Sequence, residues 1–259
     1  MLQNMNRLYL KEFLDEKAIK YNDPVFLATD PLQVPHRYNT DSDIEISSFL
    51  TATISWGQRK TIIKNALFLM KMMDDSPTDF IMNAGDTEYK YLEQFKHRTF
   101  NGIDTLYFIK SLKNIYKGFG GLKTVFDTGF QKAGNIRDTI IHFRRIFISQ
   151  EMPGRTHKHI ADIEKNASAK RINLFIRWMV RNDHKGVDFG IWNNIPASAL
   201  YIPLDIHTGN TARKLGLLRR KQNNWVAVEE LTGELRKFDP EDPVKYDFAL
   251  FGLGAFENF

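Results

Sequence analysis

The sequence predicts an all-α protein, and three observations support this prediction. Apolar residues recur with the spacing of one helix face along most of the 259 residues. Several of these stretches begin with residues that typically cap a helix N-terminus. Only residues 199–203 resemble a strand, and no two strand-like runs are joined by Asn-Gly or Asp-Gly. We therefore expect roughly ten helices.

The helices of the first 150 residues are indicated mainly by their ends. Ser42 and Glu45 form a capping-box pattern, and Ser76-Pro77 is typical of an N-cap followed by proline at the first helical position. Three glycines after Lys117 are expected to end the helix that precedes them. The predicted helices are one that starts at Ser42, residues 58–73, one that starts at Ser76, residues 103–117 and residues 135–149.

Four further helices are predicted in the second half of the chain. Asp205 and Asp242 each precede an apolar-periodic stretch, in the position of an N-cap. Two long connections, residues 151–166 and 182–203, are typical of loops that have a function or contain short helices. The predicted helices are residues 168–181, 205–217, 224–238 and 242–253.

The composition indicates a folded chain with a large core. Hydrophobic residues make up 42% and charged residues 26% of the sequence, and 20 residues are Phe. We expect residues 1–259 to form a single unit with approximate lobes at residues 43–150 and 151–259. Residues 1–42 are expected to pack as an N-terminal extension.

Several classes of protein are disfavoured by what the sequence lacks. It has no cysteine, which excludes disulfides, thiolate nucleophiles and cysteine-held iron–sulfur clusters. The first 21 residues carry too many charges for a signal peptide, and the longest apolar run, Ala66–Met70, is too short to cross a bilayer. A cytoplasmic location without membrane contact is therefore expected.

Two basic stretches lie on either side of Asp205. Residues 165–185 contain six Lys or Arg residues and one acid, and residues 213–221 contain five basic residues and no acid. Such stretches are compatible with nucleic-acid binding. Asp205 itself has a structural interpretation, because Asp commonly caps helices.

Motifs around these stretches are similar to those of the helix-hairpin-helix DNA glycosylase superfamily. They are the Leu-Asp-x-His segment at residues 204–207, the helix start Ala169-Lys170 and the Ile54–Gln58 segment, which resembles Leu-Ser-x-Gln. Residues 170–181, 203–205 and 242–250 resemble more closely an uncharacterised bacterial family. We place that family in this superfamily, nearest to the archaeal-type 8-oxoguanine DNA glycosylases. The closer resemblance extends over most of the chain from Asp43 onward.

The resemblance implies a helix-hairpin-helix glycosylase-like fold of two helical lobes with a groove between them. It also implies a DNA repair glycosylase that removes a damaged base, an oxidised purine, from double-stranded DNA. Lys170 corresponds to the amine nucleophile that gives bifunctional members their abasic-site lyase activity through a Schiff base. Asp205 corresponds to the carboxylate that stabilises positive charge at C1′ or takes a proton. No cofactor is expected, and a monomer is expected.

The remaining candidate site residues are expected to contact DNA or substrate. Trp178 also has an interpretation as a core residue, Asp247 as half of a buried salt bridge, and Lys170 as a phosphate contact. A metal site built on Asp205, His207 and the Asp183-His184 pair lacks any recognised ligand spacing, so no metal is expected. The candidates are Gln58, Ser168, Arg171, Arg177, Trp178, Arg181, Arg213, Arg219, Arg220, Lys221 and Asp247.

Two departures from the superfamily keep a second hypothesis open, a non-catalytic nucleic-acid-binding protein on a glycosylase fold. The superfamily hairpin is usually Leu-Pro-Gly-Val-Gly, whereas residues 164–169 contain no glycine. Lys170 and Asp205 are also 35 positions apart, which is more than is usual in the superfamily. The inserted residues 181–202 must loop out if the two side chains are to meet.

Overall fold

The computed structural model describes residues 6–151, 153–257 and 259, and this part of the chain is mostly helical. The all-α prediction is therefore confirmed. Two-residue strands β1 (Lys96–His97) and β2 (Phe100–Asn101) pair in an antiparallel hairpin. The α-helices are α1 (Arg7–Tyr21), α2 (Asp41–Thr53), α3 (Arg59–Met72), α4 (Pro77–Asn83), α5 (Asp86–Leu92), α6 (Gly102–Gly118), α7 (Leu122–Ala133), α8 (Ile136–Phe147), α9 (Lys170–Val180), α10 (Ile206–Lys214), α11 (Trp225–Arg236) and α12 (Tyr246–Phe256).

The described residues group into two compact units. The C-terminal unit consists of residues up to Phe26 together with residues 162–259, and it contains α1 and α9–α12. The middle unit consists of residues 27–161, and it contains α2–α8 and the hairpin. None of the helices in the described part of the chain has the length and apolar character that a membrane crossing needs.

The core of the middle unit is rich in phenylalanine. The ring of Phe49 on α2 lies 6.0, 5.6 and 5.4 Å from the rings of Phe108, Phe143 and Phe147. All four side chains are at most 2% exposed. Aromatic rings at these distances make favourable offset and edge contacts and contribute to the stability of the unit.

In the C-terminal unit, helix α12 packs between α1 and α10 because glycines allow close approach. A Cβ atom at Gly252 would lie 2.2 Å from the ring of Tyr21 on α1. A Cβ atom at Gly254 would lie 2.8 Å from Oγ1 of Thr211 on α10. The starts of α12 and α10 are joined by a hydrogen bond from the Thr208 hydroxyl to Asp247, close to Asp205.

Most predicted helices agree with the structure, but several details differ. Helix α2 begins two residues earlier than Ser42 indicated, because the Thr40 hydroxyl accepts the Asp43 N–H and caps it. Residues 199–203 do not form a strand; the Ile202 N–H donates to the Thr232 hydroxyl rather than to a neighbouring strand. Helices α1, α5 and α7 and the β1–β2 hairpin are absent from the predicted elements. The long connections do contain short 3-10 helices, Gly154–His159 and Ala197–Ala199.

Candidate active site

The N-terminal ends of three helices bring Lys170, Asp205 and Asp247 into one region of the C-terminal unit. Lys170 is the first residue of α9, and Asp205 caps α10 by accepting the Thr208 N–H at 2.9 Å. Asp247 lies in the first turn of α12 and is 5% exposed. The charges of both Lys170 and Asp205 act on the Asp247 carboxyl. The two residues that the sequence predicts as catalytic therefore lie close to the same buried side chain.

The pKa of the Asp247 carboxyl is shifted by its burial and by the charges around it. Burial raises this pKa from 3.8 to about 6, and the carboxylate of Asp205 adds to the rise. The guanidinium of Arg177 and the ammonium of Lys170 oppose it. Burial and the neighbouring carboxylate outweigh the two cations. Asp247 is therefore partly protonated at mildly acidic pH.

A chain of hydrogen bonds connects the inserted segment to Asp205. Arg177 donates from Nη1 to Asp247 Oδ2 at 2.5 Å and from Nε to Asp188 Oδ1 at 3.3 Å. The other oxygen of Asp247 accepts from the Thr208 hydroxyl at 3.2 Å, and the Thr208 N–H donates to Asp205. Every side chain between Asp188 and Asp205 in this chain is buried, so the orientation of each depends on its neighbours.

The inserted residues 181–202 fold back along α9. The Phe189 N–H donates to the Trp178 carbonyl at 2.8 Å, and the Trp192 N–H donates to the Met179 carbonyl at 2.9 Å. The indole of Trp192 packs edge-on against Phe175, with 5.3 Å between the ring centroids. This path returns the chain beside the C-terminal end of α9, so the insertion loops out between Lys170 and Asp205.

The segment before Lys170 has an unusual backbone for a sequence without glycine. Asn166 and Ala169 both adopt left-handed conformations, with φ of 64° and 52°. Asn tolerates this conformation, whereas for Ala it costs about 1–2 kcal/mol. The Asn166 carbonyl accepts the Trp225 N–H at 3.2 Å, and Ala167 forms a β-bridge with Asn224, so α11 holds the segment in place. Side-chain capping is absent from the start of α9 among the described residues, and Ser168 beside it is half-buried.

The second basic stretch lies next to this segment and to Asp205. Arg220 donates from Nε to Asn224 Oδ1 at 2.7 Å. Arg213 donates to Asn223 Oδ1 at 2.5 Å, and Asn223 in turn donates to the backbone carbonyl of Asp205 at 2.9 Å. Arg219 and Lys221 are exposed beside them. Cationic side chains therefore surround one side of the candidate site.

Four residues expected to contact DNA or substrate are buried, and Asp247, described above, is one of them. Arg177, Trp178 and Arg181 are 6%, 1% and 3% exposed. Arg181 forms ion pairs with three carboxylates, those of Asp183, Asp188 and Asp242. Side chains that are this deeply buried do not suit direct contact with DNA. The burial of Trp178 agrees with its interpretation as a core residue. The salt-bridge interpretation of Asp247 also agrees with its pairing to Arg177.

The other predicted residues are divided between the two units. Arg171 is half-buried beside Lys170, and burial lowers its pKa to about 10. Gln58 is exposed at the start of α3 in the middle unit. Asp188 and Thr208, which belong to the hydrogen-bond network, are not among the residues predicted from the sequence. Asp188 sits between the apolar Val187 and Phe189, and a lone carboxylate in such a setting is typical of a buried ion pair.

Among residues 6–151, 153–257 and 259, no three His, Asp or Glu side chains are grouped so that they could hold a metal ion. The fold and the site thus define a mostly helical protein in which a lysine and an aspartate share a buried carboxyl neighbour. Residues 30–256 match the model of a family described as "Protein of unknown function (DUF2400)", and the chain belongs to this family. No curated protein and no solved structure matches the chain.

Proposed function

We propose that this protein is a DNA repair glycosylase of the helix-hairpin-helix type, with Lys170 as nucleophile and Asp205 as the assisting carboxylate. The observation that carries the proposal is that Thr208 joins Asp205 to Asp247 by hydrogen bonds and that the charge of Lys170 acts on the same carboxyl. The sequence motifs selected Lys170 and Asp205 independently of any structure, and an insertion separates them in the chain. The proximity of Lys170 and Asp205 in the fold therefore supports their assignment to one active site.

The proposed chemistry needs an amine, a carboxylate and a flipped nucleotide. The lone pair of Lys170 Nζ attacks C1′ of the sugar while the bond from C1′ to the damaged base breaks. The base leaves with the bonding electrons and takes up a proton. Asp205 stabilises the positive charge on the sugar and accepts a proton from the attached nitrogen. Opening of the sugar ring then gives an imine between Lys170 and C1′.

The surroundings of the site suit double-stranded DNA with a damaged base as substrate. The exposed Arg219 and Lys221 can contact phosphates, and the start of α9 offers backbone N–H groups to an anion. The left-handed Asn166 provides a turn without glycine before this helix. A carboxylate among phosphate-binding cations repels DNA, so chemistry at a cationic sugar is the better explanation for Asp205.

The experiment that tests the proposal is borohydride trapping on duplexes that carry oxidised, alkylated, deaminated or abasic residues. We expect base release and a covalent protein–DNA adduct on an oxidised purine. Lys170→Gln should abolish the adduct. Lys165→Gln is the matched control, because Lys165 is an exposed lysine five positions earlier in the same segment, and it should leave trapping unchanged.

The proposed catalytic role of Asp205 can be separated from its structural role as the N-cap of α10. Asp205→Asn keeps a good N-cap residue but removes the charge. We expect lesion binding to persist while trapping slows by a factor on the order of hundreds or more. Base release without trapping would instead indicate that Asp205 activates water and that Lys170 contacts phosphate. Binding with neither release nor trapping on any substrate would leave a nucleic-acid-binding protein without turnover.

A further inference from the structure

Three segments of the middle unit converge on Trp56, and we call them together the Trp56 surface. They are residues 56–60, 96–99 and 155–159. His97 donates from Nε2 to the Trp56 carbonyl at 3.0 Å, which joins the first segment to the second. The ring of His159 stacks on the indole at 5.9 Å between centroids, which joins the third.

Trp56 is half-buried, and two histidine rings contact its indole. His97 contacts it edge-on at 4.8 Å, and both His97 and His159 are buried. The other ring nitrogen of His97 accepts a hydrogen bond from Asn65 at 2.9 Å. A partly exposed aromatic ring on a fixed support loses little conformational entropy when a flat ligand stacks on it. The other three tryptophans are 1%, 0% and 3% exposed, namely Trp178, Trp192 and Trp225.

The Trp56 surface is strongly basic. Its three segments contain no Asp or Glu. The carboxylate that contacts them, Asp104, is fully buried and already accepts from Arg155 at 2.9 Å and from Thr156 at 2.6 Å. Four exposed cationic side chains of the surface form no ion pair with another described residue. These are Lys60, Lys96, Arg98 and Lys158.

Gly57 allows one of these cations to lie against the backbone next to Trp56. Its φ of +102° favours glycine, and a Cβ atom at this position would lie 2.7 Å from Nη1 of Arg98. The guanidinium therefore lies against the backbone of the residue that follows Trp56. An aromatic ring flanked by a guanidinium can contact a base and its phosphate together.

We propose that the Trp56 surface binds single-stranded nucleic acid, with one base stacked on Trp56 and the flanking phosphates bound by Arg98, Lys158 and their exposed neighbours. Proteins that bind single strands combine such a stacking platform with cations that follow the backbone. An acidic peptide would form ion pairs with the cations but would not stack on the indole. This binding goes beyond the glycosylase proposal, because every residue involved belongs to the middle unit and none takes part in the chemistry of Lys170.

Titration of the full chain with a twelve-residue oligothymidylate tests the proposal. We expect quenching of tryptophan fluorescence, because Trp56 is the indole that a base can reach. Trp56→Phe should remove the quenching. Trp56→Ala should weaken binding, measured by the anisotropy of a labelled oligonucleotide, by roughly 5- to 150-fold, the range for loss of one base–aromatic stack. A twelve-residue oligomer of abasic units should bind more weakly than oligothymidylate by a similar factor.

A charge variant keeps the test valid if Trp56→Ala fails to fold. Arg98→Ala/Lys158→Ala changes only exposed side chains and should flatten the plot of log affinity against log salt by about 1.4. Lys71→Ala/Lys132→Ala is the matched control. It removes two exposed lysines of the same unit, and Lys71 lies about 18 Å along α3 from Arg59. The control should leave the slope unchanged.

The outcomes are distinct from those of the glycosylase experiment. Lys170→Gln should bind oligothymidylate as the unaltered protein does. Binding of either oligothymidylate or oligouridylate with these variant effects supports the proposal, and the ratio of the two affinities distinguishes DNA from RNA. Equal affinity for the abasic oligomer, unchanged affinity in a folded Trp56→Ala variant, or an equal loss in the lysine control would overturn it.

Discussion

The two basic stretches of the C-terminal unit place their cations differently. In residues 165–185, Arg177 and Arg181 point into the unit and are 6% and 3% exposed. In residues 213–221, Arg219 and Lys221 are exposed to solvent. The buried arginines are neutralised by carboxylates, which in the sequence lie outside the stretch or at its end. These are Asp183, Asp188, Asp242 and Asp247.

The difference teaches that a count of cations does not locate a phosphate-binding surface. A buried guanidinium with two or three carboxylate partners stabilises the fold and orients its partners, but it offers no charge to a ligand. Helix α9 shows both arrangements. Lys170 at its start reaches the candidate site, whereas Arg177, about two turns further along the helix, is buried and pairs with Asp247. Three predictions test this distinction between buried and exposed cations, in order from the largest expected effect to the smallest.

Removal of a buried cation should have the largest effect on stability. Arg177→Met leaves the carboxylates of Asp188 and Asp247 buried without this partner. Breaking a buried ion pair in this way destabilises a protein by about 3–5 kcal/mol. We expect a loss of that size in the free energy of unfolding, measured with urea at pH 7. Lys185→Met, at an exposed position of the same stretch, should change it by less than about 0.5 kcal/mol. Equal effects of the two substitutions would contradict the distinction between buried and exposed cations.

The raised pKa of Asp247 predicts a pH-dependent stability of intermediate size. A carboxyl group whose pKa rises on folding binds its proton more tightly in the folded state. Its stabilising contribution is complete below the unfolded pKa of about 3.8 and is lost as the pH rises through about 6. The free energy of unfolding, relative to that of Asp247→Asn, should therefore fall by about 3 kcal/mol between pH 3.8 and 7. A difference between the two proteins that does not vary with pH would show that Asp247 is not buried beside Asp205.

Removal of exposed cations should have the smallest effect on stability and a clear effect on DNA binding. Arg219→Ala/Lys221→Ala should change the free energy of unfolding by less than about 0.5 kcal/mol. In the same variant, the slope of log affinity against log salt for duplex binding should become less steep by about 1.8, because two phosphate contacts are lost. Arg220 is left in place since it bonds to Asn224. An unchanged slope would remove these two residues from the DNA-binding surface.

Local patterns were sufficient to predict most of the helices. Apolar periodicity identified α3 and α8, and the N-cap residue Asp205 marked the start of α10. Periodicity is weaker in α1, where apolar and charged residues are mixed around the helix. The hairpin was missed because its strands have two residues each and Arg98 at the turn adopts a left-handed conformation without being glycine.

The candidate site could be predicted only in part. Lys170 and Asp205 were identified from motifs, and each has a recognisable position at a helix start. The link from Asp205 to Asp247 depends on a tertiary contact of Thr208, which no local pattern indicates. Burial of Arg177 and Arg181 was missed for the same reason, because their partners are distributed over 65 residues of the chain from Asp183 to Asp247.

The measurement that tests the central claim most directly is the location of the trapped adduct within the protein. After borohydride reduction on a duplex that contains an oxidised purine, proteolysis and mass spectrometry of the DNA-linked peptide identify the modified residue. We predict that the adduct is on Lys170, beside Asp205 and Asp247. An adduct on Lys185 or Lys165 would contradict the claim that Lys170 and Asp205 form one active site.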